Sequence, residues 1–274
     1  MTFKILLAFF CSLQLILKVQ AVPSGKSLVF GQEDPDLVEK EINEWDDSQG
    51  DNVWEHSGLD EGDIIRPVGR NGLRSKSARW PLGVIPYRVS SDHFTEKELK
   101  KIQMVIDEYN TKTCLELRPM IDSDENWIDI VNSYAGCWSS VGMQGGGQIL
   151  NLQTPMCIRN GTIRHEMLHA IGFEHQQSSS NRDKFLKINW ENINDNKKHN
   201  FIKYPESRVG NFGLEYDYSS IMHYSGMAFT KNGRPTMEPR KTGVTLIRKN
   251  DFSEGDLKKL GVMYKEECDK RIKT

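Results

Sequence analysis

His165-Glu166-Met167-Leu168-His169-Ala170-Ile171-Gly172-Phe173-Glu174-His175 is the stretch that decides how the rest of the chain is read. Four residues are just over one helical turn, so on a helix His165 and His169 leave the same face and can share one ion. Glu166 sits beside them, off that face, where a carboxylate serves as general base for a water and not as a third ligand. Gly172 can take the left-handed conformation that ends a helix and turns the chain. That turn brings His175 back toward the same point. Three neutral imidazoles with a position left open for water describe a catalytic zinc site, not a closed structural one. The chain has seven histidines, and three of them fall here, which disfavours the reading of a chance match among solvated helix residues.

The remaining sequence bounds compartment and processing. The chain has 274 residues, enough for one or two domains with a real core. Lys4 precedes an apolar run over residues 5–17 and then Val19-Gln20-Ala21, a small-x-small pattern. This reads as a secretory signal at 1–21, too short to span a bilayer. No later stretch is apolar enough to span one. Cys11 leaves with the signal, and Cys114, Cys137, Cys157 and Cys268 remain for an oxidising compartment. Spacing alone leaves three pairings open.

Residues 22–70 hold 13 acidic and four basic residues, a net of −9, whereas the chain from 71 onward carries +5. The acidic stretch is therefore read as a removable inhibitory pro-segment attracted to a basic remainder, in preference to a solvated tail. Asp63, beside Gly62, is its candidate zinc blocker, since a carboxylate can ligate zinc and displace water. Arg66 to Arg70 supply a basic processing site.

From Trp80 the pattern becomes globular. Strands are expected at 84–89, 115–117, 127–131 and 148–152. Thr95 and Glu98 form a capping box, with Phe94 and Leu99 as a staple, and Leu99, Ile102, Ile106 and Tyr109 follow the helical period. The glycines at 142–147 lack a G-K-[ST] sequence, so a nucleotide loop is rejected. Asn160-Gly161-Thr162 is a glycosylation sequon. In Ser220-Ile221-Met222-His223-Tyr224, Met222 reads as a turn packing beneath the metal, and the Tyr224 phenol as a ligand at rest or an oxyanion donor in turnover. Ser253 caps a terminal helix with apolar rhythm to Tyr264 and reaching Cys268.

These residues resemble the astacin family of zinc endopeptidases, within the metzincins. The resemblance covers roughly 80–268 and includes Gly83-Val84-Ile85-Pro86-Tyr87, Gly136-Cys137-Trp138-Ser139, Asn181-Arg182-Asp183 and the turn at Met222. The phrasing His175-Gln176-Gln177-Ser178 resembles arthropod members. The family implies an α+β fold of two lobes split by a cleft. A twisted, mostly parallel sheet with helices would form the N-terminal lobe (71–175), and a largely irregular lobe with a terminal helix the rest (176–274). It implies one zinc ion on His165, His169 and His175, with Glu166 activating water and Tyr224 as an extra ligand that swings away. It implies disulfides Cys114–Cys268 and Cys137–Cys157, and Cys137, Trp138, Ser139 and Ser140 as the edge strand that pairs with an extended polypeptide substrate. A trypsin-like protease would cut between Arg70 and Asn71.

Two positions depart from the family pattern. In the family the new N-terminal ammonium pairs with a glutamate directly after the third histidine, and here that residue is Gln176, which keeps a hydrogen-bond acceptor but loses the ion pair. Asp60 stands where the pro-segment motif has an aromatic. A monomer is expected, with no nucleic-acid or membrane partner. Arg234, Arg240 and Lys241 suggest a preference for acidic residues after the scissile bond. A binding protein on a dead protease fold would lack the base or a ligand, and a structural zinc protein would need a fourth ligand; neither fits the motif.

Overall fold

The computed structural model describes residues 31–66, 78–207, 210 and 212–273. The expected signal at 1–21 and the cleavage position at Arg70 and Asn71 lie outside the described residues.

The capping box forms as read: Glu98 N donates to Thr95 Oγ1 at 3.4 Å and Thr95 N to Glu98 Oε2 at 2.8 Å. Helix α2 (Glu96–Lys112) starts there. Its buried face, Ile102, Val105, Ile106 and Tyr109, packs on the sheet and on the helix that carries the histidines. The sheet consists of β1 (Val84–Val89), β2 (Glu116–Pro119), β3 (Asn126–Val131), β4 (Cys137–Ser139) and β5 (Gly146–Leu152) in the order β2-β1-β3-β5-β4. All pairs are parallel except β4 with β5, so β4 is an antiparallel edge. The strand expected at 115–117 begins at Glu116, because the Leu115 N–H is taken by Thr113 Oγ1 at 3.1 Å and cannot join the ladder.

Helix α3 (Asn160–Ile171) carries the motif and is buried from Gly161 to Ile171. Tyr109 holds it from one side, its hydroxyl donating to Arg164 O at 2.7 Å. At the other end Gly172 N donates to His169 O and Leu168 O, and Phe173 N to Leu168 O at 2.9 Å, satisfying carbonyls a helix end leaves open. Gly172 has φ +124°, and a Cβ there would lie 2.7 Å from Met263 Cε.

Beyond His175 the chain runs through short 3₁₀ turns and a two-stranded antiparallel pair, β6 (Leu186–Ile188) with β7 (Met237–Pro239). The last element is α4 (Glu254–Lys273), which runs about one turn beyond the expected reach to Cys268. This end is tethered: Cys268 is bonded to Cys114, and Arg271 Nη2 donates to Cys114 O at 2.5 Å. A second disulfide joins Cys137 and Cys157.

The acidic stretch is ordered from residue 31 to 66. Asp34 caps an unforeseen helix, α1 (Pro35–Glu44), that buries Val38 and Ile42. These residues, with Trp45, Val53 and Trp54, share one hydrophobic core with the sheet and α3. Net charge alone misread how much apolar surface this segment hides. Asp47 meets Arg159 and Arg248 at 2.7 Å each, an instance of the expected attraction between acidic segment and basic remainder.

Gly172→Ala is expected to lower stability by about 1–3 kcal/mol through strained φ and the Met263 contact, read from urea unfolding. An unchanged midpoint would show that α4 yields at Met263 and that the turn is not strained.

Candidate active site

Helical spacing places His165 and His169 one turn apart on α3, and the Gly172 turn returns His175 to them. Asp63 joins the three: one ligand atom from each of the four residues lies within 4.8 Å of all the others. Every one of these side chains is buried. His165 Nδ1 donates to Ile221 O at 2.9 Å and His169 Nδ1 to Phe173 O at 2.7 Å. Those backbone acceptors fix the tautomer and turn both Nε2 lone pairs inward.

The inward contacts carry an electrostatic demand. His165 Nε2 lies 2.8 Å from Asp63 Oδ2 and 3.3 Å from His175 Nε2, and Asp63 Oδ1 lies 3.4 Å from His175 Nε2. With Nδ1 already donating, these are lone pairs facing lone pairs, which requires a proton or a cation among them. A tetrahedral zinc site with bonds of about 2.0–2.1 Å separates its ligands by roughly 3.3 Å, close to most of these spacings. His169 Nε2, Asp63 Oδ1 and both Glu166 oxygens have no hydrogen-bond partner among the described residues. Buried polar atoms are rarely left so, and a divalent cation fits this donor set.

The charges act strongly on one another. Burial would raise Asp63, but the charges of His175 and His169 and the contact from His165 hold it well below the usual carboxylate range. Burial would lower His175, but Asp63 and Glu61 outweigh it and raise it to about 10. Burial and then Asp63 push the Glu166 carboxyl well above its ordinary value.

Asp63 is delivered by a tight turn. Leu59 N donates to Gly62 O and Gly62 N to Leu59 O, both at 3.0 Å. Glu61 has φ +51° and Gly62 φ +94°, and a Cβ on Gly62 would lie 3.1 Å from Glu55 Cα. The non-glycine left-handed residue is held by its partners: Asn200 accepts from its N–H at 3.0 Å, and its carbonyl accepts from the Tyr224 hydroxyl at 2.7 Å. The Tyr224 phenol is thus engaged by Glu61 in this state. The next residues lie along the outer edge of β4, Ile65 N donating to Ser139 O and Ser139 N to Asp63 O, both at 3.1 Å, in parallel sense.

The family model of the astacin peptidases matches residues 72–265. The chain belongs to the astacin family. It is 40% identical over 197 residues to zinc metalloproteinase nas-13 of Caenorhabditis elegans, covering 72% of this chain and 43% of that protein. It is 37% identical over 243 residues to meprin A subunit beta of Rattus norvegicus, covering 86% of this chain and 34% of that one. The chain therefore spans under half the length of these relatives. Among solved structures it is similar to high choriolytic enzyme 1, a hatching enzyme zinc-protease from Oryzias latipes, with TM-score 0.64 and 33% identity over 74% of this chain and 99% of that one. The α+β astacin fold is thereby shown.

Around the three histidines and Asp63 of this astacin-family chain stand further residues whose part in the site motif reasoning did not show. Trp54 stacks on His165 with ring centroids 3.9 Å apart and on His175 at 5.1 Å. Glu61 Oε2 accepts from His175 Nδ1 at 2.8 Å, so the third histidine is oriented by the acidic segment. Glu55, raised to about 8 by burial and then Asp51, accepts from Ser225 N at 3.0 Å. Arg66, read as part of the processing site, has its guanidinium among Asp60, Glu61, Glu174 and Tyr204. Asp60, the departure from the aromatic, is thus an ion-pair partner of Arg66. Trp54, Glu55 and Glu61 are legible as residues near Asp63 in sequence, but nothing in their spacing says which atoms they meet.

Other expected residues fall as follows. Met222 is buried, and its carbonyl accepts from Gln176 N at 2.9 Å. His223 turns away and meets the Tyr216 hydroxyl at 2.8 Å. Asn160 is the first residue of α3 and half-buried. Arg240 donates to Asp183 O and Leu186 O, so its guanidinium is already engaged by backbone.

Arg66→Ala would take a half-buried cation from the buried carboxylates of Glu61 and Glu174, and the full chain should lose about 1–3 kcal/mol in urea unfolding. Arg66→Lys should recover only part, lacking the planar fork. A loss near zero would show that the cluster is not coupled to the fold.

Proposed function

We propose that this chain is the latent precursor of a secreted zinc endopeptidase that hydrolyses internal bonds of extended polypeptides. The observation that carries the reading is Asp63 seated among the three histidines while residues 63–65 lie on the β4 edge. The chain's own segment would occupy the place a zinc ion on the three histidines leaves for water, and it lies where a substrate strand would pair. On this reading 1–21 is the signal, 22–70 the pro-segment and 71–274 the catalytic domain, with lobes at about 71–175 and 176–274. A trypsin-like protease cuts after Arg70, and the enzyme works as a monomer. No helix among the described residues is long and apolar enough to cross a membrane.

His165, His169 and His175 would hold one zinc ion through Nε2. When bound, the ion supplies Lewis acidity toward a water and a peptide carbonyl. Once Asp63 leaves, Glu166 is rid of the second of the two influences that raise it. Its carboxylate takes a proton from the attacking water and returns it to the leaving amine. The scissile carbonyl oxygen becomes negative as its carbon turns tetrahedral, and the Tyr224 hydroxyl, released from Glu61 O, donates to it. Cys137, Trp138, Ser139 and Ser140 present the backbone edge against which the substrate extends. The short side-chain–backbone link at Ser57, whose Oγ donates to Cys137 O at 2.8 Å, is lost with the segment. Asn160 carries a glycan in this proposal.

The test is hydrolysis of a denatured protein by the purified precursor, before and after limited trypsin, with and without a zinc chelator. Activity should appear on trimming near Asn71 and vanish with chelator. An inactive, correctly trimmed and zinc-loaded chain would turn the reading into a binding protein. Glu166→Gln should retain one zinc per chain by metal analysis yet lose cleavage by at least about 100-fold; retained turnover would remove Glu166 as base. Asp63→Ala should weaken latency, read as partial activity before trimming, and an equally latent variant would remove the blocker role.

A further inference from the structure

The face of α4 that meets the metal region carries Asp256, Lys259, Met263 and Tyr264, at helical spacing. Asp256 Oδ1 accepts from Ser220 Oγ at 2.6 Å and Oδ2 from Ile221 N at 2.9 Å, and Ile221 O holds His165 Nδ1. The Tyr264 hydroxyl donates to Ile171 O at 2.6 Å. Lys259 is the member whose head group enters the loop after His175. Its ammonium is buried, with 8% of the residue exposed, and its Nζ donates to Gln176 Oε1. Gln176 directly follows His175, and its N–H is bound to Met222 O. A lysine spends much side-chain entropy and hydration to be buried so; the charges of Asp256 and Asp217 offset part of that, and the hydrogen bond its ammonium makes at this spot goes to the amide oxygen of Gln176.

We propose that Lys259 is a positioning residue for the metal loop: its ammonium, supplied from within the chain, holds Gln176 and thereby sets His175, whichever residue begins the trimmed chain. The inference rests on the metal reading above. The family resemblance leads one to expect a cleavage-generated α-ammonium against a glutamate at this place. Here both halves are exchanged, the acceptor for a neutral amide and the donor for a lysine on α4. A second ammonium brought to the same oxygen would meet the charge of Lys259 at close range, which disfavours it. The loop is therefore already held in the untrimmed chain, and activation removes Asp63 without having to build the clamp.

The experiment measures the rate at which trimmed, zinc-loaded enzyme loses metal to excess chelator, for Lys259→Met, Gln176→Met, the double variant and Lys259→Arg, with near-ultraviolet circular dichroism to verify folding. Each single variant should lose metal about tenfold faster, as for other partners of ligand-bearing segments. The double variant should be no worse than either single, and Lys259→Arg should restore most of the loss. Gln176→Glu, which keeps the loop folded should Lys259→Met fail to fold, should slow metal loss by adding an ion pair. Enzyme trimmed to leave one or two extra N-terminal residues should match the wild-type rate of metal loss and its kcat.

Wild-type metal retention in Lys259→Met, or additive losses in the double variant, would overturn the inference. So would a tenfold fall in metal retention on N-terminal extension, since the clamp would then be the α-ammonium. Wild-type enzyme that holds no metal at all would overturn the metal reading, and this inference with it.

Discussion

A carboxylate with no exposure among three buried imidazoles is the constraint on which the rest depends. Asp63 and the histidines can be taken out of water together only because positive charge is shared among them, by a proton or by a cation. That requirement explains the surroundings. Trp54 covers the rings, Glu61 orients His175, and the strained turn at Glu61 and Gly62 is held by Asn200 and Tyr224. A left-handed glutamate persists only where its partners over-determine it, and here those partners belong to the site it closes.

The same economy appears in how the histidines are supported from behind. None relies on a flexible loop alone. His165 is backed by Ile221 O, itself gripped through Asp256; His169 is backed by Phe173 O at the capped end of α3; His175 leads into Gln176, bound by Met222 and Lys259. One face of α4 thus reaches all three segments. The disulfide to Cys114 pins the far end of that helix to the sheet. A site assembled from distant segments needs such a common support, because sub-ångström displacement of ligands is enough to weaken a metal centre.

Charge asymmetry between the two parts of the chain has a structural counterpart of a particular kind. Asp47 bridges Arg159 and Arg248 at the surface, whereas Arg66 sits among carboxylates of both the acidic segment and the loop before His175. Exposed pairs of the first kind contribute little, while the Arg66 cluster matters more, since Glu61 and Glu174 in it are buried and lose most when their cation is removed. Between these electrostatic contacts, Val38, Ile42 and Trp45 place the acidic segment in the common core, which a solvated acidic tail could not do.

By itself the sequence determined what depends on local spacing. His165, Glu166 and His169 on one helix, the Gly172 turn, the capping box at Thr95 and the strand at 84–89 follow from periods of 3.6 and 2.0 and from the conformational freedom of glycine, all of which act over a few residues. The start of β2 at Glu116 escaped because a single threonine hydroxyl competed for one N–H, and α1 escaped because acidic residues masked its two buried positions. Tertiary structure alone decided that Glu61 would orient His175, that Trp54 would lie over the rings, that Arg66 would be a half-buried latch and that Lys259 would meet Gln176 from 83 positions along the chain. No local rule carries such pairings. They arise when segments remote in sequence are forced together by burial of a shared core, and each polar group then takes the partner that the packing leaves within reach.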